Sequence, residues 1–190
     1  MFKMNYYMRL FFLIFCFVFF YSCKSEKKET KAIEAPNNSF VINDEVEGNL
    51  YFEIILEVLV TKDDKFHLFY KDLNDTEYSS ERVVERIVKG SENLQTIVFS
   101  IPEEVIPNGL RLDVGVNFSQ EPIFLKNLKI RYDKKEFYFN DGKFEQLFRP
   151  NKFISYDSLD QIIFTQSIDG IYDPNFVSIN LEDIVFSMID

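Results

Sequence analysis

The stretch from Leu50 to Val60, Leu-Tyr-Phe-Glu-Ile-Ile-Leu-Glu-Val-Leu-Val, decides the fold. Its even-numbered residues are all apolar, and the odd-numbered residues between them include Glu53 and Glu57. Since successive side chains of a β-strand point to opposite faces, this period of two predicts a strand. One of its faces should lie in a core, and the other should be partly exposed to water.

The same kind of pattern recurs along the rest of the chain. Runs rich in apolar and β-branched residues predict further strands at 66–70, 95–101, 110–116, 122–132, 136–139, 143–148, 162–165 and 176–179. Many short strands separated by turns are typical of a β-sandwich or barrel. We therefore predict an all-β fold, an antiparallel β-sandwich of the jelly-roll type. Helix should be limited to short turns near 157–159 and 181–184.

Residues 80–89, Ser-Glu-Arg-Val-Val-Glu-Arg-Ile-Val-Lys, fit two kinds of element. The four apolar residues of this segment would lie on one face of a helix, and Gly90 would end such a helix. All four are β-branched, however, and β-branched residues favour strands. We therefore predict a strand here.

The first 22 residues have the three parts of a secretory signal. Lys3 and Arg9 form a basic region, residues 10–21 are an apolar run, and the small Ser22 precedes Cys23. The run is shorter than the ~20 apolar residues of a transmembrane helix. This arrangement resembles a Bacteroidota-type lipoprotein signal, which is cut before a cysteine whose thiol has been acylated. The resemblance implies lipidation at Cys23. An uncleaved anchor and a cut at another position are the alternatives.

These features divide the chain into three parts. Residues 1–22 are predicted to be a lipoprotein signal peptide, 23–38 an acylated cysteine with a flexible tether, and 39–190 a single β-sandwich domain. The tether is highly charged and has almost no apolar residue to bury, which is typical of disorder. Cys23 would be the only cysteine of the mature chain, so an apolar core must stabilise the domain without disulfides. The composition can supply that core, because 46% of the residues are hydrophobic and 22 are Phe.

The net charge restricts the partners. The chain has a formal charge of −10, which becomes −12 when Lys3 and Arg9 leave with the signal. Nucleic acids and anionic membrane surfaces attract proteins through clustered Lys and Arg. Nucleic acid is therefore not an expected partner. We expect the protein to contact the lipid bilayer through acylated Cys23.

A series of motifs between residues 50 and 132 resembles a β-sandwich domain found in bacterial exported and membrane proteins, including some cell-surface glycosyltransferases. In chain order the motifs are Phe66-His-Leu-Phe-Tyr70, Glu81-Arg-Val-Val84, Val98-Phe-Ser-Ile-Pro102, Leu110-Arg-Leu-Asp-Val-Gly115 and Ile123-Phe-Leu-Lys-Asn-Leu-Lys-Ile130. The resemblance implies a jelly-roll sandwich similar to galactose-binding-like accessory domains. A glycan ligand follows only from this likeness, because one fold hosts many functions.

Arg111 and Asp113 are the candidate binding residues. At positions i and i+2 of one strand they share a face, so the guanidinium can reach the carboxylate or a hydroxyl of a ligand. An ion pair that supports the strand and a ligand-binding pair are both compatible with this spacing.

The sequence contains no catalytic constellation. His67 is the single histidine, and in the predicted strand it lies on the opposite face from Phe66 and Leu68. A lone histidine excludes multi-histidine zinc sites and most histidine-based triads. Acidic turns such as Asp63-Asp64 contain oxygen ligands for Ca²⁺ but lack the spacing of an EF-hand. We predict a protein without catalytic residues, metal or cofactor.

Taken together, these patterns predict a lipid-anchored lipoprotein of the cell envelope. The outer membrane of a Gram-negative bacterium is the expected location, with the surface and periplasmic faces both open. The predicted function is a non-catalytic binding module, for a glycan of the envelope or the environment. A structural or assembly lipoprotein that docks an envelope protein is the alternative, and a hydrolase comes third. A glycan site needs exposed aromatic rings, for which the candidates are Tyr70, Tyr78, Tyr132, Tyr138 and Tyr156.

Overall fold

The computed structural model describes residues 40–42, 51–139 and 143–190. The predicted signal peptide, the lipidation site Cys23 and the tether 23–38 lie outside these described residues. Within them the chain forms twelve strands and two short helices. In chain order these are β1 (Phe40–Ile42), β2 (Glu53–Leu59), β3 (Asp64–Asp72), β4 (Val83–Val88), β5 (Gln95–Ser100), β6 (Pro107–Asp113), β7 (Ile123–Tyr132), β8 (Lys135–Phe139), α1 (Phe144–Leu147), β9 (Phe148–Pro150), β10 (Ile154–Asp157), β11 (Ile162–Thr165), β12 (Asn175–Ser178) and α2 (Leu181–Ile189).

The strands form two antiparallel sheets that pack as a sandwich. In the seven-stranded sheet, β7 pairs with β2 along one edge and with β8 and β11 along the other. Beyond these lie β5 next to β2, β1 next to β8, and β10 next to β11. The five-stranded sheet has the order β4-β3-β6-β12-β9. The predicted fold class, an all-β antiparallel sandwich, is confirmed.

The core lies between the two sheets and follows the predicted alternation. In and beside β2, the side chains of Phe52, Ile54, Leu56, Val58 and Val60 are all buried. In the facing sheet the even-numbered apolar residues of β3 and β6 are buried in the same way; these are Phe66, Leu68, Tyr70, Leu110 and Leu112. The odd-numbered residues of these strands therefore form the outer faces of the sandwich.

One predicted strand is partly a helix in the structure. The strand predicted at 143–148 is wrong, because Phe144–Leu147 form the helix α1 and β9 begins only at Phe148. The ring of Phe144 packs 5.2 Å from that of Phe148 and 4.9 Å from that of Phe176, measured between centroids. One helical turn places Phe144 and Leu147 on the same buried side. This packing outweighs the apolar content that predicted a strand.

The C-terminal helix is longer than predicted. A single turn was expected at 181–184, whereas α2 extends over nine residues with Leu181, Val185 and Met188 buried at helical spacing. The turn expected at 157–159 is not helical, since Asp157 ends β10 and a turn follows it. Among the residues that the structure describes, no helix is long and apolar enough to cross a membrane.

The ambiguous segment 80–89 is a strand, as predicted, since it contains β4. The strand predicted at 110–116 ends earlier, at Asp113. Gly115 has a φ of +123°, which favours glycine. The carboxylate of the buried Asp64 accepts hydrogen bonds from the backbone N–H of Val116 at 2.8 Å and from the Gln120 side-chain amide at 2.8 Å. Because these bonds hold the residues after β6 against Asp64, the chain leaves the sheet at the end of β6.

Candidate functional site

The outer face of the five-stranded sheet contains the predicted pair of binding residues. Arg111 Nε donates to Asp113 Oδ1 at 2.8 Å, and Arg111 Nη2 donates to Asp113 Oδ2 at 3.0 Å. Nη2 also donates at 2.7 Å to Oδ1 of Asp173, which lies in the loop before β12. The guanidinium carbon lies 5.3 Å from the centroid of the Phe69 ring. We call these four residues the arginine cluster.

The arginine cluster has the geometry of a structural ion pair. Its bidentate contact between Arg111 and Asp113 confirms that the two residues share a face. The additional contact with Asp173 fastens the loop before β12 to the strand β6. Burial raises the pKa of Asp113 above its ordinary value, and the neighbouring Arg111 only partly opposes this rise. Whether the pair also binds a ligand stays a prediction.

His67 lies beside the arginine cluster on the same face. It is aligned with Glu85 of β4 and Asp113 of β6, and its Nε2 is 3.3 Å from Oε2 of Glu85. This orientation, opposite to Phe66 and Leu68, is the one predicted. In the described part of the chain, no three potential metal-ligating side chains come together around a common point.

The outer face of the seven-stranded sheet has a second group of charged residues. Arg131 Nε donates to Glu53 Oε2 at 2.7 Å, and Lys129 Nζ donates to Glu136 Oε1 at 2.8 Å. The hydroxyl of Tyr138 also donates to Glu136. We call these five residues the polar layer. Glu53 and Glu136 are buried although they face away from the core, so the cations beside them balance charges that water hardly reaches.

The pKa values in the polar layer reflect this pairing. Burial acts to raise the pKa of Glu136, but the hydrogen bonds from Lys129 and Tyr138 outweigh burial and hold it below its ordinary value. Burial together with the bond to the Glu136 carboxylate raises the pKa of Tyr138 to about 12. The Glu136 carboxylate is therefore expected to be charged, and the Tyr138 hydroxyl neutral, at neutral pH.

A small hollow adjoins the polar layer. Its volume is about 170 Å³, and its lining residues are Ile55, Glu57, Thr96, Asn127 and Lys129. Glu57 is aligned with Thr96 of β5 and Asn127 of β7, and the pairing of β2 with β7 shifts just after Glu57. Such β-bulges often occur next to functional sites.

One polar atom in the hollow lacks a partner. The side-chain oxygen Oδ1 of Asn127 is buried and accepts no hydrogen bond within the described chain. Buried polar atoms in native proteins are normally satisfied, so an exception calls for an explanation. The neighbouring Glu57 carboxylate is held by Lys126 at 2.9 Å. Together with the Thr96 hydroxyl, the hollow offers donors and acceptors side by side above the apolar Ile55.

The five tyrosines considered for an aromatic platform do not form one. Tyr70 is buried in the core, and the ring of Tyr132 stacks on Phe52 with centroids 4.3 Å apart. Tyr78 donates its hydroxyl to a backbone carbonyl of β6, and Tyr156 packs edge-on against a core phenylalanine. Of the five, only Tyr138 belongs to the polar layer, where Lys129 Nζ lies 5.4 Å from its ring centroid.

Comparisons with known proteins give no relative. No protein-family model matches this chain, and neither a curated protein nor a solved structure matches it.

Proposed function

We propose that this protein is a membrane-anchored exported lipoprotein that acts as a non-catalytic binding module for a glycan. The observation that supports a binding role is the hollow, where Asn127 Oδ1 is buried without a partner. A ligand hydroxyl that donates to this oxygen would satisfy it and recover the free energy lost by its burial.

The charges around the hollow favour an uncharged, hydroxylated ligand. Carboxylates and cations alternate there, with Glu57 paired to Lys126 and Glu136 paired to Lys129. An anion or a cation would meet charges of both signs, whereas sugar hydroxyls both donate and accept hydrogen bonds. The hollow is smaller than the ~300–1,000 Å³ of a site for a drug-sized ligand. It would therefore hold one sugar unit of a longer glycan.

The binding site can be tested with a glycan array and titration of the best ligand. Asn127→Ala should weaken binding about tenfold or more, which corresponds to ~1.4 kcal/mol, and leave the melting temperature nearly unchanged. Arg111→Ala is the matched control on the other sheet, and it should lower the melting temperature and leave binding intact. The reverse result would place the site at the arginine cluster. Absence of binding to any glycan would contradict the proposed function.

The anchor is proposed to be acylated Cys23, from the resemblance of the first 22 residues to a lipoprotein signal. A single buried acyl chain gives only marginal membrane binding, and mature lipoproteins of the type that this signal resembles have three chains. Metabolic labelling with a palmitate analogue should label the wild type and not Cys23→Ser. Label on the serine variant would contradict acylation at this residue. The bilayer in question is expected to be the outer membrane.

The alternative function is an assembly lipoprotein that docks an envelope protein. It is supported by apolar side chains in exposed loops, of which Phe118 is 76% exposed and Ile171 is 59% exposed. Exposed apolar surface of this kind marks protein contacts when it is continuous. If Phe118→Ser abolishes membrane-complex formation and Asn127→Ala does not, the docking function is favoured. Turnover of a glycoside or ester panel by the purified protein, lost on changing one carboxylate, would favour a hydrolase.

A further inference from the structure

The outer edge of β5 is unpaired in the described chain. β5 pairs with β2 on one side, and no described strand pairs with its other side. The Ile101 N–H donates to the Phe52 carbonyl, so the backbone groups of the odd-numbered residues of β5 point toward β2. It follows that the backbone groups of Thr96, Val98 and Ser100 face the free edge.

Unlike the edge strands of the five-stranded sheet, this edge has no charged residue. The sequence of β5, Gln-Thr-Ile-Val-Phe-Ser, has neither a charged residue nor a proline. Exposed edges without such residues are templates for the addition of another strand. The edge strands of the five-stranded sheet are protected, because β4 contains Glu85 and Arg86, and β9 contains Arg149 and Pro150.

Apolar residues border the free edge. A groove of about 390 Å³ lies between β4 and β5, and its lining includes Ile87, Val88, Ile97 and Val98. Ile87 is 71% exposed, and Leu94, just before β5, is 41% exposed. A strand added to β5 would cover part of this apolar surface.

We propose that β5 pairs antiparallel with β5 of a second copy of the chain, with the two-fold axis at Val98. In this register Val98 faces Val98, and Thr96 faces Ser100 of the second copy. Hydroxyl pairs and aliphatic pairs are favourable across antiparallel strands, and no like charges meet. Two β4 strands could not pair favourably in the same way. The backbone groups of Val83, Glu85 and Ile87 face the outer edge of β4. A two-fold axis at the middle of this edge would place the Glu85 carboxylates of the two copies opposite each other.

Arg86 competes with this pairing. Its Nε donates to the Val98 carbonyl at 2.6 Å, and its guanidinium lies 5.9 Å from the centroid of the Phe99 ring. The side chain thus caps one of the carbonyls that the second copy needs. Each opposed pair of edge-facing residues exchanges two backbone hydrogen bonds, so dimer formation replaces one side-chain bond per chain by several backbone bonds. Pairing is therefore expected to strengthen when Arg86 is removed.

Disulfide trapping in the full-length chain tests the proposal. Residues opposed in a hydrogen-bonded antiparallel pair have Cα atoms ~5.5 Å apart, within the ~4.4–6.8 Å of a disulfide. Membranes that contain Val98→Cys should yield a disulfide-linked dimer on mild oxidation with copper phenanthroline, seen on a non-reducing gel. Ser155→Cys, on the exposed edge strand β10, is the matched control, and the parent chain without either substitution gives the background. Equal dimer fractions for Val98→Cys and Ser155→Cys would overturn the proposal, as would a cross-link from Val98→Cys to a protein of another mass.

Two further variants test the register and the cap. Thr96→Cys and Ser100→Cys should each stay monomeric alone and should cross-link when the two are produced together. Cross-linking of either variant alone would place the axis elsewhere and overturn the stated register. In the Val98→Cys background, Arg86→Ala should raise the dimer fraction several-fold, because the Val98 carbonyl loses its competing donor. An unchanged or lower fraction would contradict competition by Arg86.

Discussion

The arginine cluster and the hollow are both polar groups on outer sheet faces, but their hydrogen bonding differs. In the cluster, two carboxylates hold the Arg111 guanidinium above the Phe69 ring. In the hollow, a buried oxygen of Asn127 has no partner within the described chain. Removing a partner from a satisfied group destabilises the fold, whereas an unsatisfied group favours a ligand that supplies the missing bond. The completeness of the hydrogen bonding, more than residue type, distinguishes a structural group from a binding group here.

The largest effect should come from the core that supports both faces. Leu56→Ala removes a fully buried side chain from β2 and should lower the free energy of unfolding by ~2–5 kcal/mol through lost burial and a cavity. Chemical denaturation of the purified protein measures this change. Glu57→Ala, the next residue on the opposite face, should change stability by less than ~0.5 kcal/mol. Equal sensitivity at the two positions would contradict the separation of a core face from an outer face in β2.

A smaller effect should separate the two candidate sites. Arg111→Ala leaves the half-buried Asp113 without its main donor and should lower the free energy of unfolding by ~1–3 kcal/mol. Asn127→Ala removes an unsatisfied oxygen and should leave stability within ~0.5 kcal/mol of the wild type. Thermal and denaturant unfolding of both variants test this difference. Loss of stability in Asn127→Ala but not in Arg111→Ala would reverse the roles assigned to the two groups.

The smallest expected effect is that Asp113 and Glu136, on the two outer faces, make the stability of the fold depend on pH in opposite directions. Asp113 has a pKa raised above 3.8, so its contribution to stability is full below pH 3.8 and is lost as the pH rises through the raised value. Glu136 has a pKa lowered from 4.5, so its contribution is full above pH 4.5 and is lost as the pH falls through the lowered value.

The measurement compares each carboxylate with its amide variant. The difference in unfolding free energy between the wild type and Asp113→Asn should decrease as the pH rises above 3.8. The difference between the wild type and Glu136→Gln should decrease as the pH falls below 4.5. Denaturant unfolding at several pH values between 3 and 6 gives the slope of each free-energy difference against pH. This range is chosen because it spans the ordinary pKa values of carboxyl groups. Slopes of the same sign would contradict the opposite environments of the two carboxylates.

The strands could be predicted because a period of two is a local property of the sequence. The alternation around Leu56 sets both the strand and its buried face, and the β-branched residues of β4 resolve the ambiguity there. The helix α1 was missed although Phe144, Leu147 and Phe148 have the i, i+3, i+4 spacing of a helical face. With only six residues in the window, the same side chains also fit a strand, and packing on Phe176 decides between them.

The candidate site was predicted only in part because its partners are distant along the chain. The pairing of Arg111 with Asp113 follows from their spacing on one strand, whereas Asp173 contacts Arg111 from 62 residues away. Nothing in the sequence sets Asn127 apart from other polar residues. Its position opposite Glu57 depends on the register of β2 with β7, and its lack of a partner depends on every neighbour in the fold. The alternation of Glu53 and Glu57 with apolar residues is the local signal in this strand that the face is polar.

The carboxylate of Asp64 has a practical consequence for engineering this domain. It accepts hydrogen bonds from the backbone of Lys65, Val116 and Asn117 as well as from the Gln120 side chain, so one buried group binds three residues of the loop after β6. An affinity tag or a fluorophore placed in that loop would separate these donors from their acceptor. The turn between β10 and β11 is better suited to such grafts, because its Leu159 is almost fully exposed to solvent and exposed turn tips tolerate insertions.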